Sequence, residues 1–419
     1  MDCTKLKADI ERLREARDAF DADVTEAVAN DTGLGKIKCN GAMKRTSGLE
    51  DEILQTYMED ARKHNPELFR SFHYGEKIDG FYGDIFSTMK LSDSEALVCG
   101  DNGEMRILRK TEDGLWNYDS DNIDGYDATI LSTLRLSDDE VLVCSNDGGT
   151  RILRKGEDSS WNYDSNSIDG FDGGAIYSTL RLSDNDVLVC GNSKTRILRK
   201  GEDGSWNYDS NSIDGFRNAA CSTAKLSDNE VLVCGNDGET RILRKGEDDS
   251  WNYDGEKIDG CRVTIISTLK LSDDEVLVCG YYGETRILRK DKDGLWSYDS
   301  NGIGGFRGNA ISTLKLSDDE VLVCGGGFAG KSETHILCKD KDGLWDYTDD
   351  KIDGFGPHIL LTMKLSDEEV LVCGGNGVTR ILHVDMDIDL DKLKQKLPDI
   401  AAKKDKARTI PRKGRPVLF

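Results

Sequence analysis

Most of the features that mark a membrane protein, a secreted protein or a catalyst are missing from this chain. No apolar run approaches the roughly 18 residues needed to cross a bilayer. The first twenty residues, MDCTKLKADIERLREARDAF, are charged throughout and have no apolar leader core. These absences lead us to expect a cytoplasmic protein with no membrane association. The five histidines, His64, His73, His335, His358 and His383, are scattered, and no nucleophile–base pair recurs. Twelve cysteines are present, but no C-x-x-C pair, so zinc has little support. Seven of them, Cys99, Cys144, Cys190, Cys234, Cys279, Cys324 and Cys373, close an L-V-C run. A thiol in that setting reads as a small buried hydrophobe.

Positive charge is also in deficit. Lys and Arg number 56 against 79 Asp and Glu, a net charge of −23. Phosphate affinity rests on clustered cations, so the body of the protein is not expected to bind nucleic acid. The balance reverses at one end. From Lys392 onward there are ten Lys or Arg and two Asp, a net +8, which leaves −31 on residues 1 to 391. That basic tail reads either as a solvated or self-docking segment or as an arm for a partner.

What is present is repetition. Trp116, Trp161, Trp206, Trp251 and Trp296 are spaced 45 apart, and Trp345 follows after 49. One unit, read from Ile213, is IDGFRNAACSTAKLSDNEVLVCGNDGETRILRKGEDDSWNYD. STAKL alternates, EVLVCG is apolar and β-branched, TRILRK follows and WNYD ends the unit, with Asp/Gly turns between them. Four short strands in about 45 residues describe a propeller blade. L-V-C and the T-R-I-L position each occur seven times, but the Trp strand only six. The missing copy stands at the other end. Phe72-His73-Tyr74 followed by GEKIDG matches Trp251 to Asp254 followed by GEKIDG. The expected fold is therefore all-β, a seven-bladed propeller over residues 70–386 closed by an N-terminal strand. A helical extension over 1–69 and a short helix with the basic tail over 387–419 flank it.

This organisation resembles the WD-repeat propellers over roughly residues 70 to 386. Leu226 to Leu243, LSDNEVLVCGNDGETRIL, stands where that family places its second and third strands. The family's Gly-His pair is absent, its Trp-Asp pair occurs only once, as Trp345-Asp346, and Trp opens the fourth strand instead of closing the third. The turn KDKDGLW is also similar to the Asp-box of sialidases, one residue shorter. The resemblance implies architecture and carries no catalytic residue with it.

Gly325 to Ser332, GGGFAGKS, matches the phosphate-cradling pattern G-x-x-x-x-G-K-[ST]. The cradle needs a following helix, whose free N–H groups face the phosphates. Here the copy of ETRIL, Glu333 to Leu337, follows, and it reads as a strand. The motif is expected to be a loop of blade six. The run DSDNIDG, Asp119 to Gly125, approaches a calcium loop, but Ile123 fills a ligand slot. A hydrogen-bonded turn explains it without an ion. No metal or cofactor is expected.

Near-identical blades make their differences informative. The S-D-x-E and G-E-D-G turns hardly vary and lie at one end of each blade. Variation falls at the opposite end, in the stretch after I-D-G-F and in the turn after L-V-C-G. The first of these windows carries Arg217, Arg262 and Arg307 in blades four to six, and Asp127 and Asp172 in blades two and three. The arginines form an arc suited to an acidic peptide or phosphorylated segment, or they are ordinary solvated charges. Tyr281, Tyr282, Phe328 and Lys331 add candidate contacts in the second window. Blade six alone lacks both the I-D-G aspartate, as Gly304, and the T-R-I-L arginine, as His335. That joint loss suggests structural ion pairs elsewhere, with Asp124–Arg151 and Asp214–Arg241 as examples.

Leu6, Ile10, Leu13, Phe20, Val24 and Val28 recur at helical spacing before the ring, and a second helix is expected from about Gly48 to His64. Packing on the ring or on each other is the plainer reading of these helices; docking arms of a larger assembly are the alternative. The whole points to a non-catalytic scaffold for a protein partner. A glycan-binding propeller, using the repeated Trp as platforms, is the alternative, and a propeller enzyme the weaker one.

Overall fold

The computed structural model describes residues 71–385 apart from 173, 193, 328–330 and 341. The expected N-terminal helices and the C-terminal helix and tail lie outside the described residues. Phe72–Val384 forms one compact unit.

Seven four-stranded antiparallel sheets make up this unit. Blade one is typical: Ile85–Lys90, Glu95–Gly100, Met105–Lys110 and Trp116–Tyr118, in spatial order as in the chain. The first strand alternates buried and half-buried residues, whereas nearly every residue of the second is buried. A strand covered on both faces needs an unbroken apolar run, and A-L-V-C supplies it. The S-D-x-E turn closes on its own backbone, with Leu91 and Ser92 N–H donating to Glu95 O. The only helices among the described residues are single 3₁₀ turns after the L-V-C-G strands, for example Asn236–Gly238 and Tyr281–Gly283.

The sheets form a ring because each first strand packs against the first strands of both neighbours, including Ile85–Lys90 against Ile359–Lys364. The core therefore lies between blades. One cluster joins Leu271, Leu277 and Cys279 of blade five to Phe306, Val321, Val323, Leu337 and Trp345 of blade six.

Polar clasps repeat at these interfaces. Near the axis, Ser87 bonds Thr133 at 2.8 Å, Ser222 bonds Thr268 at 2.9 Å and Ser312 bonds Thr362 at 2.8 Å. Leu361 occupies the serine position in blade seven, so the blade seven–blade one interface is apolar there. At the constant end, Lys225 donates to Leu182 O at 2.9 Å while pairing with Asp228 at 3.0 Å. Further out, the W-N-Y tyrosine reaches the T-R-I-L threonine of the preceding blade, as in Tyr253–Thr195 at 2.9 Å.

Blade seven contains Ile359–Lys364, Glu369–Gly374, Thr379–Asp385 and, beside the last, Ser71–Tyr74. Gly75 N–H donates to Ile381 O and Ile78 N–H to Thr379 O, both at 2.8 Å. Tyr74 Oη lies 2.9 Å from Thr334 Oγ1, the contact that W-N-Y tyrosines make elsewhere.

The phosphate-pattern segment is a hairpin end. Gly326 pairs with Ser332 and Gly325 with Glu333 in the ladder that continues as the strand Ser332–Lys339. No helix follows Lys331.

All seven first strands carry a register shift at the equivalent place, between their first and third residues in six blades and between Ala310 and Ser312 in blade six. The extra residue is Phe86, Leu131, Tyr177 and Cys221 in blades one to four. It is Ile266, Ile311 and Leu360 in the last three. A bulge bends the strand and re-aims a side chain.

Glu275 joins two blades and makes the ring sensitive to acid. It is buried, pairs with Arg289 in its own blade and accepts from Lys339 Nζ of blade six at 2.8 Å. Burial alone would push its pKa up. The hydrogen bond from Lys339 and the charges of Arg289 and Lys339 outweigh burial and hold it below the usual glutamate value. A depressed folded pKa gives stability that is present above the unfolded pKa, about 4.3, and lost as pH falls through the folded value. Unfolding free energy should therefore fall on acidification below about pH 4.3 with a shallower slope in Glu275→Gln. Urea melts of both proteins between neutral pH and pH 3 check this, and parallel slopes would overturn it.

Candidate functional site

Alternating strand direction puts the S-D-x-E and G-E-D-G turns at one end of the ring. The L-V-C-G turns and the linkers into each first strand lie at the other. At the constant end the repeated cations are engaged: Lys90–Asp93, Arg135–Asp138, Lys270–Asp273 and their counterparts pair within 3.2 Å. The variable end is different.

Arg217, Arg262 and Arg307 are exposed at equivalent positions of blades four, five and six. Their backbones are held. Arg217 N–H donates to Glu239 at 3.2 Å, and Arg307 N–H donates to Glu333 Oε2 at 3.0 Å. Among the described residues, their guanidinium groups have no hydrogen-bond or ion-pair partner. Every other described arginine donates to, or forms an ion pair with, a carboxylate or donates to a backbone carbonyl.

Tyr281 and Tyr282 are 40% and 80% exposed, with ring centroids 6.4 Å apart. Tyr282 stands at φ 58°, where the same turn of other blades carries Asn102, Asp237 or Asn376. Asparagine and aspartate tolerate that left-handed region, and an aromatic there is unusual. Tyr282 N–H donates to Asn309 Oδ1 at 3.1 Å, two residues from Arg307. The following Gly283 has φ 73°, and a Cβ there would fall 2.0 Å from Phe306 O. The turn of one blade thus lies directly against the linker of the next, and the backbone of Tyr282 is held to the linker that carries Arg307. Lys331 is exposed in the hairpin of blade six, and Gly327 N–H donates to its carbonyl at 2.6 Å. Phe328 lies outside the described residues.

The arc is less uniformly positive than its arginines suggest. Arg217 lines a cavity of about 510 Å³ with Asp237, Glu239, Arg241, Lys257 and Asp259. Arg262 lines another of about 860 Å³ that shares Asp237, Lys257 and Asp259. Lys257, whose Nζ donates to Asp237 O at 3.3 Å, links the two. Its only sequence signal is the GEKIDG variant of the linker. Tyr82 is a further candidate that no feature of the sequence singles out. It is blade one's counterpart of Arg217, 80% exposed, with the Arg106 guanidinium 5.8 Å from its ring.

The expected ion pairs do not form. Asp124 accepts from Asn122 Nδ2 at 2.9 Å and Asp214 from Ser212 Oγ at 3.1 Å. Arg151 donates to Gly125 O at 2.8 Å and lies over Tyr126 and Tyr163, while Arg241 pairs with Glu239 at 3.0 Å. The linker wraps over the arginine and offers its carbonyls, leaving the I-D-G carboxylate in solvent. His335 keeps the aromatic part of this role, 5.6 Å from Phe306 and 5.8 Å from Tyr347. Burial lowers its pKa.

The repeated indoles are core. Trp116, Trp161, Trp206, Trp251, Trp296 and Trp345 are each 5–8% exposed, and Lys110, Lys200, Lys290 and Lys339 each lie 5.7 Å over the Trp that follows. Such rings offer no sugar platform. Among the described residues, no three His, Cys, Asp or Glu side chains converge as a metal site, and no helix is long and apolar enough to cross a membrane.

No family model and no curated protein matches the sequence. Among solved structures, the chain is similar to the WD40 β-propeller domain of Doa1, at 13% identity and a TM-score of 0.59. The match covers 75% of this chain and 97% of that one. The chain has the architecture of a seven-bladed β-propeller, the fold it shares with that domain.

Proposed function

We propose that this protein is a non-catalytic interaction scaffold. Its propeller binds a protein partner at the variable end, through an acidic or phosphorylated segment. The observation that carries this reading is the contrast in arginine use: Arg217, Arg262 and Arg307 alone among the described arginines are unpartnered, and they share one end of an acidic body. Guanidinium pairs to carboxylate or phosphate are short, bidentate and strong. Tyr281 and Tyr282 supply rigid aromatic contact area at the same end. Ser71–Tyr74 acts as the strand that closes the ring, and the flanking segments serve as additional docking arms. Free thiols at every described cysteine suit a reducing compartment such as the cytoplasm.

Affinity purification with mass spectrometry, comparing wild type with Arg217→Glu/Arg262→Glu/Arg307→Glu, tests the site. The variant should lose its main partners, with affinity reduced roughly 10- to 100-fold when a captured partner is measured directly. An unchanged partner set rejects the arginine site.

A further inference from the structure

The windows of the variable end differ at their start and agree at their close. They open on Tyr82, Asp127, Asp172, Arg217, Arg262, Arg307 or Gly356, yet all seven end on an apolar residue, the one extruded by the bulge. The residue before each bulged position, such as Ile85, Ile130, Ile176 or Ile265, is fully buried between blades. The bulged side chain is excluded from that core. Each of the seven is partly exposed, and Tyr177 reaches 39%. They stand near the variable end of the innermost strands, where neighbouring strands pack side by side. Tyr177 and Cys221 of adjacent blades are close enough that the thiol, after burial, contributes to raising the phenol's pKa.

Seven partly exposed side chains, at equivalent points near the variable end of the innermost strands, make up a collar. Scattered surface apolar residues mean little, but a continuous patch rimmed by polar groups marks an interaction site. The rim supplies the second half of the recognition. Arg217, Arg262 and Arg307 each stand four residues before a collar residue: Cys221, Ile266 and Ile311.

We infer that the collar receives a single bulky apolar side chain of a partner protein, carried on a segment whose flanking residues are acidic. The inference rests on the reading of the variable end as a protein-binding face and names what that face selects. Burying apolar area in the collar provides affinity, at about 25 cal/mol per Å² removed from water. The arginine arc sets the sign of the flanking charge and the direction in which the segment crosses the collar. Because the ring has one axis, one segment binds per chain.

The test is a random 12-residue phage-displayed peptide library selected on the immobilised full chain. The enriched peptides are then synthesised and measured by fluorescence anisotropy. Enriched sequences should hold one Leu, Ile, Phe or Trp flanked by Asp or Glu. Ile266→Ser/Ile311→Ser should weaken their binding at least 10-fold at an unchanged melting midpoint. Tyr177→Ser, at the most exposed collar position, serves if the double variant does not fold. Basic flanks, the lack of an apolar anchor, or no enrichment overturn the inference. Binding that is lost in the arginine reversal but kept in both collar variants overturns it too, while leaving the scaffold reading standing. Binding lost in the collar variants and kept in the arginine reversal overturns the acidic-flank part of the inference and, with it, the arginine site.

Discussion

Deleting residues 1–78 is expected to lower the thermal midpoint by roughly 10 °C or more, and to drive self-association, relative to a chain lacking only residues 1–70. The difference between the two truncations is the strand Ser71–Tyr74 with its continuation to Ile78. Phe72 and Tyr74 pack on a cluster that contains Ile359, Val370, Val372, Leu382 and Val384. Truncating a large core aromatic costs about 3–5 kcal/mol, and less where the ring is half exposed, as both are here. The lost bonds from Gly75 and Ile78 and the Tyr74–Thr334 contact add about 1 kcal/mol each. A total of about 5 kcal/mol at about 2 °C per kcal/mol gives the expected shift. Self-association follows because Thr379–Asp385 becomes a bare edge with unpaired N–H and C=O groups. Differential scanning calorimetry and size-exclusion chromatography decide it. Coincident midpoints with monomeric elution of both truncations would show that the strand does not close the ring.

The expectation of a seam comes from a repeat that miscounts itself. A Trp strand present six times against seven L-V-C runs leaves one outer strand to be found, and GEKIDG after Phe72-His73-Tyr74 locates it. Strand content, turn positions and the division into a constant and a variable end were legible for the same reason, since seven near-copies serve as each other's controls. The hairpin reading of GGGFAGKS followed from ETHIL after it. Packing across the ring was not legible. The joint change of Gly304 and His335 suggested an ion pair, whereas Arg151 and Arg241 reach linker carbonyls and carboxylates close in sequence. Carbonyls belong to every residue and leave no trace in side-chain identity. Lys257, Asp237 and Arg262 meet because a turn of blade four abuts the linker of blade five, a contact between residues about 25 apart that no local pattern encodes. The collar was half visible. The apolar close of every window is in the sequence, but only the register shift shows that this residue is extruded from the core.

Replacing Trp345 with alanine should cost about 3–5 kcal/mol, a fall of roughly 6–10 °C in melting midpoint, while Trp345→Phe should cost a fraction of that. The indole fills the interface between blades five and six, within the cluster of Leu271, Leu277, Phe306 and Leu337. Lys339 lies 5.7 Å over its ring and bonds Glu275 of the preceding blade, so the loss reaches a polar network as well as an apolar one. Trp345→Ala and Glu275→Gln should therefore be non-additive by about 0.5 kcal/mol or more, because residues that share a partner couple. The same measurement separates the two roles that a repeated tryptophan can play. A sugar-binding platform must face solvent, and its removal leaves the melt unchanged while abolishing ligand binding. A buried packing element does the reverse. A midpoint for Trp345→Ala within about 1 °C of wild type would mean that the blades do not rely on their indoles, and the interfacial core described for the ring would have to be given up.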